Sequence, residues 1–586
     1  MDSAKSQKLL VVAIDFGTTF SSWAFAFLHD YQRDPTKIFV KNWNNGVGIS
    51  CKAPTTALIR PDGKTLEAFG YEAEDKFAKL FEKNEHRDRY FFQRFKMSLY
   101  KDKKLTRDTI IFDETGKPMA AIKVISLVIR YMKDDVCKQI KSQMVGELLL
   151  NDIKWVLTVP AIWNDKAKQF MREAAKQAGI SDAHLLLALE PEAASLYSRQ
   201  IPLKIEDFDG KSSIVPLSPG TRYIVVDAGG GTVDIMIHEV LEDGNVQEID
   251  MATGGAWGGN EVDEAFIQFL IQIFGTSVMQ QFKKEAMDDY IELFRNFELK
   301  KRKVDPKRVE EVQFSLPNSL MSIYEEHAGK DLTESLNQTQ FAANVHVLKG
   351  NKLRLHHLVM RGFFDRSIRN VCDHLQTFHK DRKKFNISVA ILVGGFSESP
   401  MLSGTIGEKC SSWKVIVLKD ASLAVLKGAV LYGFDQSVIV YRVARYTYGI
   451  SKRVQFIDGV HPLDKLVVYD DGRRQCRNSF HKFLEKGVLV KYDQVVFEHK
   501  GAVSIDTNDD EINIQIYAST DKDPKFTTDE SCFLLGNLRS NAFEASIDGR
   551  KRTVDVTITH KGTDLHLKAV DTQSGRELDT CFDLLE

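Results

Sequence analysis

An aspartate that closes an apolar run and is followed at once by glycine and threonine suits phosphate chemistry. The run from Leu9 to Ile14 ends at Asp15 and continues Phe16, Gly17, Thr18, Thr19, Phe20. The run from Tyr223 to Val226 ends at Asp227 and continues Ala228, Gly229, Gly230, Gly231, Thr232, Val233, Asp234. Glycine lets backbone N–H groups approach a phosphate closely, and threonine hydroxyls add donors. A carboxylate at the strand end can hold a hydrated Mg2+ without touching the phosphate itself. One such turn is common. Two of them, roughly two hundred residues apart, suit a clamp with one turn on each of two lobes and a polyphosphate in the cleft. The competing phosphate motif GxxxxGK[ST] is absent, and GGAWGG from Gly254 to Gly259 lacks the strand-to-helix context of a dinucleotide fingerprint.

The elements that must carry these turns are α/β in character up to about residue 435. Trp155 to Val159 and Val389 to Val393 are further apolar runs of strand length. Between the runs lie helical patterns, the clearest being NDKAKQFMREAAKQAGI. There Ala167, Phe170, Ala174 and Ala178 recur at helical spacing, Asn164 or Asp165 can cap the start, and Gly179 can end it. After Asp435 the texture changes to β-branched, alternating runs such as VIVYRVARYTYGI, VLVKYDQVVFEH, INIQIYAS and RTVDVTITH, separated by DG, ND, KG and SG turns. The expected organisation is an α/β region over residues 1–435 and an all-β module over 436–586.

A chain of 586 residues needs more than one core, and 43% hydrophobic residues can supply them. The 79 basic and 81 acidic side chains nearly cancel, so overall charge favours neither nucleic acid nor an anionic membrane. The N-terminus does not read as a secretory signal, and no apolar stretch reaches the roughly 18 residues of a membrane span. Seven scattered cysteines without CxxC spacing read as reduced thiols, and the expected location is cytoplasmic, with a nuclear one also open. The histidines form no HExxH or metal-spaced cluster.

Taken in order, AIDFGTTFSS, VLTVPAIWNDKAKQFMREAAKQAGI, LALEPEAASLY, VVDAGGGTVDI, WGGNEVDEAF and ILVGGFSESP resemble the ATPase domain of the seventy-kilodalton heat-shock chaperones, within the actin-like ATPase superfamily. The forms AIDFGTTFS, FKMSLY, GGAWGGNEVD and LVGGFSESP resemble most its divergent family-12 branch. The resemblance implies a two-lobed actin-like ATPase domain that binds ATP or ADP with Mg2+ and hydrolyses ATP slowly. It assigns Asp15, Gly17, Thr18, Thr19 and Phe20 to the first phosphate loop and Asp227, Gly229, Gly230, Gly231 and Thr232 to the second. Glu190 in LEPEAA would order the waters of Mg2+ together with Asp15 and Asp227, and Asp234 lies on the side of the attacking water. The phosphate-contacting lysine falls in FFQRFKMSLY, at Lys96, with Arg94 as the other candidate. Gly394 and Gly395 match the turn under the adenosine, and Glu298, Lys301 and Arg302 the helix flanking ribose and adenine. ELKKRK also reads, without the resemblance, as a solvated helix face or a nuclear-localisation run. Where the chaperones set an arginine against adenine, this chain has Glu398, which removes cation stacking.

The resemblance extends to the β region, which looks like a peptide-binding β-sandwich with Phe497, Ile512, Ile514 and Ile516 on its strands. By alternation only some of these can face a slot, and the others would be core. No counterpart of the chaperones' helical lid is expected, and DQSVIVYRVARYTYGI stands where they have an acidic, leucine-rich linker. The implied partners are client proteins and co-chaperones. The other reading is a nucleotide-sensing scaffold that binds ATP or ADP with little hydrolysis.

Overall fold

The computed structural model describes residues 8–500 apart from 47, 102–104, 145–146, 207–211, 215–216 and 330, then 511–541, then 554–585 apart from 563, 573–574, 576, 579 and 584. Two sheets built on the same plan carry the two Asp-Gly-Thr turns. In the first, Leu10–Asp15 forms a hairpin with Phe20–Phe27, setting Asp15 opposite Ser22. On its other side it pairs parallel with Ile153–Val159, which pairs parallel with Leu185–Leu189. In the second, Arg222–Ala228 forms a hairpin with Val233–Val240, setting Asp227 opposite Asp234. On its other side it pairs parallel with Val389–Val393, which pairs parallel with Lys414–Val417. The central strands are continuously apolar because both faces are covered: LVVAID is buried throughout.

The helix expected over NDKAKQFMREAAKQAGI is present as Asp165–Gln177, with the Asn164 side chain accepting from the Ala167 N–H at 2.9 Å and Gly179 at φ +85° beyond its end. Two other helices join the lobes. Glu190–Ser198 and Ala424–Phe434 cross so closely that a Cβ at Gly428 would lie 1.7 Å from the Ala193 carbonyl oxygen. A hydrophobic cluster around them takes Val11 and Val156 from the first sheet and Val225 and Ile391 from the second. The cleft therefore opens above a packed floor.

Two strands beyond residue 435 complete the second lobe's sheet: Ile439–Val443 pairs parallel with Val246–Gly255, and Leu489–Lys491 pairs antiparallel with Ile439–Val443. The remaining described elements after Val443 are strands and one 3-10 turn at Leu463–Lys465. They form one sheet running from Leu466–Val468 through Arg474–Leu484, Thr447–Gln455, Glu511–Ser519 and Cys532–Asn541 to Thr580–Asp583. A second sheet holds Gln494–His499, Val554–Lys561, Asp564–Asp571 and Glu577–Leu578. Tyr448, Leu484 and Ile516 from the first share a core with Ile558 from the second. Ile516 is thus core, and Phe497 packs against the same cluster, with its ring 5.1 Å from that of Phe483. The side chains of Ile512 and Ile514 lie outside the described residues.

Candidate nucleotide site

The two turns meet across the cleft. A Cβ at Gly230 would lie 2.0 Å from Thr19 Oγ1, and one at Gly231 would lie 2.6 Å from Thr18 Oγ1, so only glycine permits this approach of one lobe's turn to the other's. The carbonyls of Gly229, Gly230 and Gly231 accept from the N–H groups of Gly259, Asn260 and Gly258, which commits these oxygens to the protein. GGAWGG thus buttresses the second turn.

A cavity of about 560 Å³ lies between the lobes. It is lined by Asp15, Gly17, Thr18, Thr19 and Phe20 of the first turn and by Asp227, Gly229, Gly230, Gly231 and Thr232 of the second. Lys96, Glu190, Glu298, Lys301, Arg302, Gly394, Gly395 and Glu398 also line it. Every residue assigned to nucleotide binding by the sequence is therefore brought to one place. Asp234 sits just behind the wall, its Oδ1 accepting from the Ile162 N–H at 2.9 Å.

Of the two basic candidates in FFQRFKMSLY, the structure brings Lys96 to the cleft. Its ammonium is 2.9 Å from Glu190 Oε1 and 5.1 Å from the centre of the Trp163 ring, in a side chain 2% exposed. Arg94, at φ +51°, points instead to Asp263, 2.7 Å away. A residue absent from the sequence assignment, Lys52, reaches the same cleft and binds Asp15 Oδ2 at 2.6 Å, while Thr158 Oγ1 donates to Asp15 Oδ1 at 2.9 Å. Nothing in CKAPTT marks Lys52. Only the pairing of Ala53–Pro54 with Ser21 and Phe20 beside the first turn places it there.

The acidic cluster is under electrostatic strain. Burial pushes the Glu190 carboxyl up to about 7 even with Lys96 beside it, and Asp15 adds to the rise. Asp227 is pushed well up by burial and by Glu190, Asp234 and Asp15. Asp234 is also raised by burial, and its Oδ2 is buried with no hydrogen-bond partner. All-oxygen donors, an orphaned carboxylate oxygen and carboxylates forced toward protonation fit a hard divalent cation. Among the described residues no group of three acidic, histidine or cysteine side chains is set to ligate a metal directly.

At the other end of the cavity Arg302 lies 5.2 Å over the Phe20 ring and donates to Glu298 Oε1 at 2.7 Å. Lys301 is buried rather than solvated and is bound to Asp263 and Glu298. Burial pushes Glu298 up, but Lys301 and Arg302 outweigh it and hold the carboxyl at about 2. Glu398 accepts from the Ser422 N–H at 3.0 Å, so one of its oxygens is engaged in bracing the turn at Gly394. The Phe364 and Phe396 rings, 6.4 Å apart, supply apolar surface.

The strand after residue 435 is tied to the site from beneath. Arg442 makes a buried two-point ion pair with Glu192, at 2.8 and 3.0 Å, on the helix that Glu190 opens. The Val443 N–H donates to Glu248 at 2.7 Å. Arg445 donates to the carbonyls of Ala161, Ile162 and Trp163, the turn whose Ile162 N–H holds Asp234.

Two lobes of one strand plan, closing paired Asp-Gly-Thr turns on a cleft, define an actin-like ATPase fold. The Hsp70 protein family model matches residues 79–458. The chain belongs to the Hsp70 family. It is 31% identical to heat shock 70 kDa protein 12A of Homo sapiens over 100% of its own length and 92% of the relative's. It is 30% identical to human heat shock 70 kDa protein 12B over 98% of its length and 91% of the relative's. Chaperone protein DnaK of Carsonella ruddii is 26% identical over 60% of this chain and 53% of its own.

Proposed function

We propose that the cavity binds Mg-ATP and Mg-ADP and that the chain hydrolyses ATP slowly, as a chaperone-like switch. The observation that carries this reading is the seating of Thr18 and Thr19 against Gly231 and Gly230 at a cavity that also holds Lys96 and the carboxylates. In the reaction, backbone N–H groups and hydroxyls of the two turns orient the phosphates, and Lys96 places a compact positive charge against them. A bound Mg2+, held through water by Asp15, Glu190 and Asp227, would neutralise charge on the terminal phosphates. The attacking water enters on the side of Asp234, which stands behind the wall and does not line the cavity; as water attacks the γ-phosphorus its protons stay with the inorganic phosphate formed, and the electron pair of the broken P–O bond leaves on ADP. Arg302, the arginine among the described lining residues, stands at the base end, and the phosphate charge is met by the backbone N–H groups and hydroxyls of the turns, by lysine and by the metal.

Residues 1–435, with the strands Ile439–Val443 and Leu489–Lys491 added to the second lobe's sheet, form the nucleotide unit in this reading, and the two remaining sheets form a β-sandwich that engages an extended segment of a client protein by strand-like recognition. Arg445, between the added strand Ile439–Val443 and the sandwich strand Thr447–Gln455, couples the two, because it grips the 161–163 turn. The expected setting is cytoplasmic or nuclear. A second reading, a nucleotide-controlled scaffold with little hydrolysis, is favoured by Asp15, both of whose oxygens are already engaged. Measuring bound nucleotide and released phosphate in one preparation separates them: binding with phosphate release supports the switch, and binding without release supports the scaffold.

A further inference from the structure

Lys52 is held too firmly to be a stray surface lysine. Its backbone N–H donates to Ser50 Oγ at 3.3 Å, and its carbonyl accepts from the same hydroxyl at 2.7 Å. The following residues are stitched to the first phosphate turn, through Thr55 Oγ1 to the Gly17 carbonyl at 2.8 Å and the Thr55 N–H to the Thr19 carbonyl at 2.8 Å. The side chain is 19% exposed and ends 2.6 Å from Asp15, which is 5% exposed. At this burial and distance the pair is only weakly screened by solvent.

The charges in the cleft give this lysine a role. Asp15, Glu190, Asp227 and Asp234 face two ammonium groups, Lys52 on Asp15 and Lys96 on Glu190. Fully ionised, the cluster lacks two positive charges, which is what one divalent cation carries. Without Lys52 it would lack three, and an incoming polyphosphate would meet a bare Asp15.

We propose that Lys52 is an internal cation for Asp15, a positioning residue that lets the cleft accept a nucleoside di- or triphosphate with a reduced requirement for Mg2+. The inference rests on the cavity being a nucleotide site. With the metal absent, Lys52 neutralises the carboxylate that would otherwise repel the phosphates. With the metal present, Asp15 can turn to the ion's hydration shell and the ammonium is free to meet phosphate oxygens.

The test is the affinity of the full-length chain for a fluorescent ATP analogue, measured once in excess Mg2+ and once in EDTA, with the ratio of the two dissociation constants as the readout. Lys52→Met raises this ratio by about tenfold or more, within the usual range of coupling between two ligands. Lys52→Arg, which keeps the charge, brings it back toward the wild-type value. Asp15→Asn, which removes the carboxylate instead, binds in EDTA at least as tightly as wild type. Melting midpoints near wild type show that the variants are folded, and the Asp15→Asn arm remains decisive if Lys52→Met is not. An equal loss of affinity in both buffers makes Lys52 a plain phosphate ligand and overturns the proposal. So does a wild-type chain that binds only with Mg2+, or an Asp15→Asn chain that binds more weakly in EDTA. No binding by the wild type in either buffer refutes the nucleotide reading of the cavity, and this inference with it.

Discussion

Arg442→Leu is the substitution whose cost the structure specifies most fully. Arg442 and Glu192 are joined by two charge-assisted bonds of 2.8 and 3.0 Å, with side chains 5% and 0% exposed. Glu248, the other acid nearby, is pushed up to about 8 by burial and by Glu192, so it is mostly protonated at pH 7. The variant therefore leaves one bare buried carboxylate, Glu192, and removing one member of a buried pair costs about 3–5 kcal/mol. That is a large share of the roughly 5–15 kcal/mol that holds a typical domain folded. The double variant Arg442→Leu, Glu192→Leu has no stranded charge and recovers most of the loss, since a buried pair and an apolar pair of similar volume differ little. The assay is urea unfolding of the full-length chain at pH 7, followed by far-ultraviolet circular dichroism and tryptophan fluorescence, with Mg-ATP affinity measured on the same samples. Glu190 opens the helix that carries Glu192, so affinity falls in the single variant and returns in the double. A single variant that loses less than about 1 kcal/mol, as an exposed pair would, refutes the reasoning. A double variant no better than the single refutes it equally.

Lys96→Ala slows single-turnover hydrolysis by about 10²-fold, the scale of losing one charge-stabilising donor, whereas Arg94→Ala, whose guanidinium faces Asp263, leaves the rate close to wild type; the reverse order would reassign the phosphate contact. Glu248 titrates at about 8 in the fold against 4.5 ordinarily, so its contribution to stability is fully present below pH 4.5 and is lost as pH rises toward 8. Glu248→Gln removes that loss, and denaturation midpoints of the variant fall less steeply than wild type between pH 5 and about 8, a difference on the order of 3 kcal/mol. Parallel pH profiles for the two chains would contradict it.

The phosphate turns were legible because their signal is local. An apolar strand, an aspartate and a glycine-threonine turn stand within ten residues, and the strands and the Asn164-capped helix follow from pattern alone. What could not be read depends on chain segments far apart. Lys52 meets Asp15 across 37 positions and Arg442 meets Glu192 across 250, and neither segment has a composition that marks it. Lys96 and Arg94 stand two residues apart in a turn, and only the left-handed backbone at Arg94 sends the one into the cleft and the other to Asp263. Lys301, in a run that reads as a solvated basic face, is buried because Asp263 and Glu298 neutralise it from both sides. The strand Ile439–Val443 reads as the start of a β region, yet its hydrogen-bonding partner is Val246–Gly255 in the second lobe, a pairing set by register rather than by composition.

The nucleotide switch is tested most directly by single-turnover hydrolysis of labelled Mg-ATP by the purified full-length chain and by Asp227→Ala, with bound nucleotide measured in the same samples. Asp227 lines the cavity from the second turn and is crowded by Glu190, Asp234 and Asp15, so an incoming cation is needed there. The wild type binds nucleotide and releases phosphate slowly, and release is abolished in Asp227→Ala. Release at an unchanged rate by the variant, or failure of the wild type to bind ATP at all, would contradict it.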